Sequence, residues 1–255
     1  MENISYVFDH VVRKSVLGFK ILVLGYFDGK SITPLDFTVH TEKALEKKKI
    51  KRQYKKQVDP KSSGAKRRNE TNKTKIKAAI ELIKRAAKNG FIADYVLCDS
   101  WFTSEELITS IRAIKGGAMH IIAGVKNGNQ KYGYQGELFN AKEIIATLKK
   151  VSNARRCRRL GIYYYETVVS YKGVGTLKMV MCRYPRQKKW RVFVTTNTAL
   201  SFLEIMEIYG SRWTVEVLFR ECKQYLQLGD CQSQDFDAQI ASITITMILI
   251  RSWLI

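Results

Sequence analysis

Acidic side chains are scarce in this chain. Only 23 Asp and Glu stand against 44 Lys and Arg, which leaves a net charge of +21 and a pI near 9.8. A surface so unbalanced attracts polyanions, nucleic acid first and anionic membrane second. Cysteines are few and unpatterned. Cys98, Cys157, Cys182, Cys222 and Cys231 are odd in number and form no C-x-x-C pair. That speaks against a disulfide framework or a cysteine zinc site and fits a reducing cytosol. His10, His40 and His120 are the only histidines, and no H-E-x-x-H occurs. Walker A and G-x-G-x-x-G motifs are missing, as is any internal repeat. The opening Met1-Glu-Asn-Ile-Ser has no signal-peptide shape. The apolar-rich stretch 240–255 is 16 residues long and holds Arg251. It is short of the roughly 20 apolar residues that cross a bilayer, so a buried helix is expected there and no membrane partner.

What is present describes a globular protein. At 255 residues, 45% apolar and 11% aromatic, the chain can bury a substantial core, as one large domain or one with an insertion. Residues 19–27 and 35–39 are runs of β formers around Asp28-Gly29, the pattern of an antiparallel hairpin. Between residues 41 and 90 there are 18 Lys and Arg against 5 Asp and Glu, a net of +13. Residues 45–68 are poor in apolar side chains and read as a mobile basic loop, solvated or in contact with nucleic acid. A helix should follow, with Ile76, Ile80, Ile83 and Ala87 on one face and Gly90 as its stop.

Residues 92–98 read as a buried strand, with Asp99 at its carboxyl end, where α/β proteins expose functional groups. The alternative is an ordinary strand-end aspartate. Thr103 and Glu106 are spaced as a capping box, with Phe102 and Leu107 as its staple, so a helix should start there. Residues 119–126 read as a second strand. From 132 to 193 the chain turns β-rich, with runs at 162–169 and 177–182 and a basic cluster at Arg155, Arg156, Arg158 and Arg159. Residues 190–194 lead back toward the core.

The most informative stretch lies further on. A helix is expected over about residues 202–226, and Tyr209, Arg212, Glu216 and Lys223 are spaced Y-x2-R-x3-E-x6-K within it. At about 100° per residue all four fall within about 60° of one another, beside a separate apolar face of Val215, Leu218, Cys222 and Leu226. A carboxylate between two cations can hold a divalent metal while the cations hold phosphate. The alternative, for any such stripe, is a solvated face with incidental salt bridges.

These four residues resemble the Y-R-E-K motif of the DDE transposases of bacterial insertion sequences. Asp99-Ser-Trp-Phe102-Thr103 is similar to that family's second carboxylate motif, and the resemblance covers essentially the whole chain. It implies an α/β fold, a ribonuclease-H-like catalytic core over residues 1–126 and 194–255, interrupted by a β-rich insertion at 127–193. It implies cut-and-paste DNA transposition, with Asp99 and Glu216 as catalytic, metal-binding carboxylates for two Mg²⁺ or Mn²⁺ ions. Arg212 and Lys223 would grip phosphates and Tyr209 the backbone beside the scissile bond. Trp190 would stack on a displaced base, although a core tryptophan fits that position equally. The implied partner is double-stranded DNA at the transposon ends, with room for a homodimer on it, in the bacterial cytoplasm near the nucleoid.

One part of the pattern has no counterpart. The family's first Asp belongs to an Asp-Asp-Thr-like strand before the hairpin, and neither Asp9, Asp28 nor Asp36 stands in such a setting. The expectation is therefore an N-terminally truncated, inactive transposase fragment that also ends slightly early. Its alternatives are a catalytically dead DNA-binding or regulatory remnant and a nuclease on the same fold.

Overall fold

The computed structural model describes residues 2–9, 13–41, 56–126 and 128–253. They fall into two compact units, residues 1–89 with 213–255, and residues 90–212.

The first unit begins with an antiparallel pair, β1 (Ser5–Asp9) and β2 (Lys14–Gly18). A second pair, β3 (Lys20–Phe27) and β4 (Ile32–His40), is the hairpin expected around Asp28-Gly29. Its turn forms because Asp28 Oδ1 accepts the backbone N–H groups of Lys30 and Ser31, both at 2.8 Å, and Gly29 takes φ +101°. The basic segment is only partly as expected. Residues 42–55 lie outside the described residues, and Ser63–Glu70 is a helix, α1, rather than loop. Ser62 caps it by accepting from Ala65 N. Helix α2 (Lys75–Lys88) is capped by Thr74 and ends before Gly90, at φ +90°. Ala78, Ile80, Leu82 and Ile83 are its buried residues, while Ile76 and Ala87 are half-buried.

The second unit is built on one mixed sheet. Strand β5 (Tyr95–Cys98) runs parallel to β6 (His120–Val125), joined through α3 (Glu105–Arg112) and a 3₁₀ turn at Ile114–Gly117. There follow β7 (Lys131–Tyr134), β8 (Glu137–Asn140), α4 (Ala141–Val151), β9 (Arg155–Cys157), β10 (Ile162–Tyr171), β11 (Gly175–Arg183), β12 (Arg191–Thr195) and α5 (Phe202–Gly210). The strand order is β5-β6-β12-β11-β10-β7-β8, with β9 on β10. The strands of the β-rich segment therefore extend the sheet that carries β5 and β6. Phe202 and Ile205 of α5 pack on Ile122, Val180 and Phe193 of this sheet.

The chain then returns to the first unit with α6 (Trp213–Leu226) and α7 (Phe236–Trp253). Leu218 and Cys222 of α6, with Val215 and Leu226 at the margin, join Phe236, Ile243, Met247 and Ile250 of α7 and Phe37 and Val39 of β4 in one core. That is the apolar face read from the sequence. Among the described residues, no helix is long and apolar enough to cross a membrane.

Two further expectations are corrected. The cap of α3 is Ser104, which accepts from Leu107 N, not Thr103. Thr103 is occupied elsewhere, its hydroxyl donating to the carbonyl of Gly124 on β6. The helix expected over 202–226 is two helices. Ser211 N and Arg212 N turn back to Ile208 O and Tyr209 O, and the Ser211 hydroxyl donates to Ile208 O at 2.7 Å. A glycine followed by a serine that binds its own backbone favours ending a helix over continuing it.

Candidate functional site

The candidate residues lie in both units. In the second unit, Asp99 follows the last residue of β5. Its backbone carbonyl accepts from Phe102 N at 3.2 Å, and its Oδ1 accepts from Trp101 N at 2.7 Å. This closes a tight turn that holds the carboxylate at the carboxyl end of a strand, half-buried. The Thr103–Gly124 hydrogen bond ties the turn to β6. Gly124 is needed for the approach: a Cβ there would lie 3.2 Å from Ser100 N and 3.4 Å from the Tyr209 hydroxyl.

Tyr209, near the end of α5, reaches the same place. Its hydroxyl donates to Cys98 O at 3.3 Å, and its ring meets Phe193 edge-on at 4.7 Å. Burial pushes the phenol's pKa up, the Arg212 guanidinium pulls it back, and Cys98 and Asp99 add to the rise. The Arg212 guanidinium sits 5.7 Å from the Tyr209 ring. The Cys98 thiol is raised to about 12, chiefly by burial and then by the Asp99 charge. Asp99, Tyr209 and Arg212 thus gather at one end of the β5–β6 pair, a carboxylate with a cation and a phenol.

In the first unit, α6 carries Glu216 in its first turn and Lys223 in its last, both exposed. Seven residues bring them to nearly the same side of the helix, about 10 Å apart along its axis. The break after α5 means that one helical stripe no longer relates them to Tyr209 and Arg212.

Trp190 is 8% exposed, its ring 5.2 Å from that of Tyr165 and approached by Arg183 and Lys149. These are the surroundings of a core tryptophan. Trp101 is the opposite, 69% exposed, with the Lys126 ammonium 3.0 Å from its ring centroid. Trp101, Gly124 and Lys126 join the site only in the structure. Their signal was faint: an aromatic beside a carboxylate, and a glycine and a lysine closing a strand.

The basic segment is also more structured than its composition suggests. Arg68 binds Glu2 at 2.8 Å and Asp237 at 2.7 Å. Arg67 pairs with Asp36 and Glu70, and Arg85 pairs with the same two carboxylates. Lys56 pairs with Asp235 and Asp237, and Lys73 with Glu81. Lys61, Lys66, Lys75, Lys77, Lys84 and Lys88 remain exposed.

Among the described residues, no three His, Cys, Asp or Glu side chains gather so as to hold a metal ion. Asp99 in the second unit and Glu216 in the first each offer the hard oxygen donors that Mg²⁺ or Mn²⁺ prefers.

The family model described as "Transposase DDE domain" matches residues 67–251. No curated protein and no solved structure matches the chain.

Proposed function

The chain belongs to the transposase DDE domain family, and we propose from that premise that it binds the DNA ends of a mobile element as a cut-and-paste transposase catalytic domain. The reaction class is phosphodiester cleavage and strand transfer. The observation that carries the reading is the cluster of Asp99, Tyr209 and Arg212 at the carboxyl end of the β5–β6 pair, inside the matched span. Asp99 is the proposed second carboxylate and Glu216 the third, each an oxygen ligand of Mg²⁺ or Mn²⁺. Arg212 and Lys223 bind phosphate, Arg212 through its planar fork. Tyr209, its hydroxyl donating to Cys98 O, positions the backbone beside the reacting bond. The parallel β5–α3–β6 unit supports a ribonuclease-H-like core.

One observation favours a second reading, a DNA-binding remnant that no longer cuts: among the described residues no three His, Cys, Asp or Glu side chains gather as a metal site. A salt titration tests the premise common to both. With about six phosphate contacts, log K against log salt should fall with a slope near −5 on duplex DNA. A flat response would remove nucleic acid as the partner. Incubating the chain with linear end-sequence DNA and Mg²⁺ or Mn²⁺ separates the two readings. Cleavage abolished by Glu216→Gln, with binding kept, supports the enzyme. Binding with no cleavage supports the remnant.

A further inference from the structure

We propose that the Asp99 end of the second unit's sheet is a docking rim for about seven base pairs of duplex DNA. The proposal rests on the DNA reading above and adds to it the surface along which the duplex runs away from Asp99.

The strand register puts cations at that end. Asp99 follows β5, and Cys98 lies opposite Ala123 of β6. Val125 lies opposite Val192, so Lys126 and Arg191 stand at the same end of β6 and β12. Cys182 is opposite both Arg191 and Tyr164, and Tyr164 is opposite Arg155. One residue further out, Arg183, Tyr163 and Arg156 form the next row. Each of β6, β12, β11 and β9 thus brings at least one cation to the Asp99 end. Successive side chains of a strand point to opposite faces of its sheet, so the two rows make a band with a cationic edge on either face.

The connections repeat the bias. Residues 158–161 join β9 to β10 and residues 184–190 join β11 to β12, both at this end. They hold Arg158, Arg159, Arg186, Lys188 and Lys189, with no Asp or Glu, and all five are exposed. The connections 172–174 and 196–201, at the opposite end, hold Lys172 alone. Arg155 and Arg159 each hold a carboxylate, Glu166 and Glu207, but the other cations leave a surplus. A surplus that only kept the chain soluble would need no such preference for one end of the sheet.

The dimensions fit a duplex. Five strand spacings separate β5 from β9, roughly 24 Å at about 4.8 Å each. That is the length of about seven base pairs. A duplex lines each groove with two phosphate rows, which suits a band of two rows, whereas a single strand offers one. Backbone contacts of this kind hold DNA in place without reading its sequence.

The test compares two triple variants of the full chain, each losing three positive charges. The rim variant carries Arg186→Gln, Lys188→Gln and Lys189→Gln. The control carries Lys115→Gln, Lys142→Gln and Lys172→Gln, exposed positions of the same unit away from the rim. All six side chains are exposed, so both variants should melt as the wild type does. On a labelled duplex longer than the rim, the rim variant should flatten the slope of log K against log salt by about 2 to 3. The control should change it by less than about 1. On a single strand of the same sequence the rim variant should lose less than on the duplex. Equal changes in the two variants overturn the rim while the DNA reading stands. Equal losses on single strand and duplex overturn the duplex as its occupant. A rim variant that binds DNA as wild type but no longer binds phosphatidylserine vesicles makes the rim a membrane surface and overturns the proposal. A flat salt response from the wild type overturns both the rim and the DNA reading.

Discussion

The two compact units hold themselves together differently. In the second, the wide sheet buries its strands outright. Ile121, Ile122 and Ala123 of β6 and Leu177, Met179, Val180 and Met181 of β11 have no measurable exposure. Its ion pair Arg159–Glu207 lies toward the surface, and one inward pair, Lys178–Glu166 at 3.1 Å, supports the sheet from within. In the first, the hairpin has only two strands, and every residue of β3 remains half-buried. Here the cations turn inward: Arg68, 8% exposed, joins Glu2 to Asp237, while Arg67 and Arg85 fasten Asp36 of β4 to Glu70 of α1. A small sheet cannot hide enough apolar surface by itself, and charge-assisted hydrogen bonds from neighbouring helices complete it. Basic composition therefore had two uses that a net charge does not separate.

Removing Arg68 should break this contrast most sharply. Arg68→Ala strands the buried Glu2 carboxylate, and losing one partner of a buried pair costs about 3–5 kcal/mol. Denaturant unfolding should show that loss in the first unit, followed by hydrogen exchange on α1 and α7, with protection in β6 and β11 unchanged. Loss of protection in both units would mean that the second depends on the first.

A smaller effect is expected in the second unit from Gly124→Ala. The new methyl would press on Ser100 N at 3.2 Å and on the Tyr209 hydroxyl at 3.4 Å. Overpacking of this kind costs about 1–3 kcal/mol. It should also displace the Asp99 turn, seen as weakened DNA binding out of proportion to the lost stability. Unchanged stability and binding would show that the turn yields freely.

The smallest effect is a pH dependence. His40 is buried, and burial, then the Lys75 charge, hold its imidazole below the ordinary 6.5, against the Lys73 backbone and Glu70. A depressed histidine contributes stability that is present above 6.5 and lost as the pH falls from there through the folded-state value. His120 in the second unit is depressed too, chiefly by burial, but it is only half-buried. Melting temperatures should therefore decline from pH 7.5 to 5.5, and His40→Gln should flatten the decline more than His120→Gln. A steeper change with His120→Gln would reverse the assignment.

Much of the scaffold was legible from the chain. Asp28-Gly29 announced the hairpin, the run before Asp99 announced β5, and the face of Val215, Leu218, Cys222 and Leu226 announced the buried side of α6. Helix α4 has its own sequence signal. Asn140 and Glu143 form a full capping box at its start, hidden within a segment whose tyrosines and valines read as strand. The break between α5 and α6 was harder, because apolar periodicity continues across Gly210 and Ser211 and only their backbone preferences oppose it.

What the sequence determined by itself is local: turn chemistry, caps such as Ser201 with Glu204, apolar faces, the charge surplus and the spacing of Asp99, Tyr209, Arg212, Glu216 and Lys223. Each depends on neighbours within a turn or two of chain. Tertiary structure decided which groups were already engaged. It drew Thr103 away from the cap to Gly124, buried Trp190 while leaving Trp101 in water, and turned part of the basic segment into internal clamps. The physical reason is that a polar or aromatic side chain has several partners of similar strength available, and packing against residues distant in sequence selects among them.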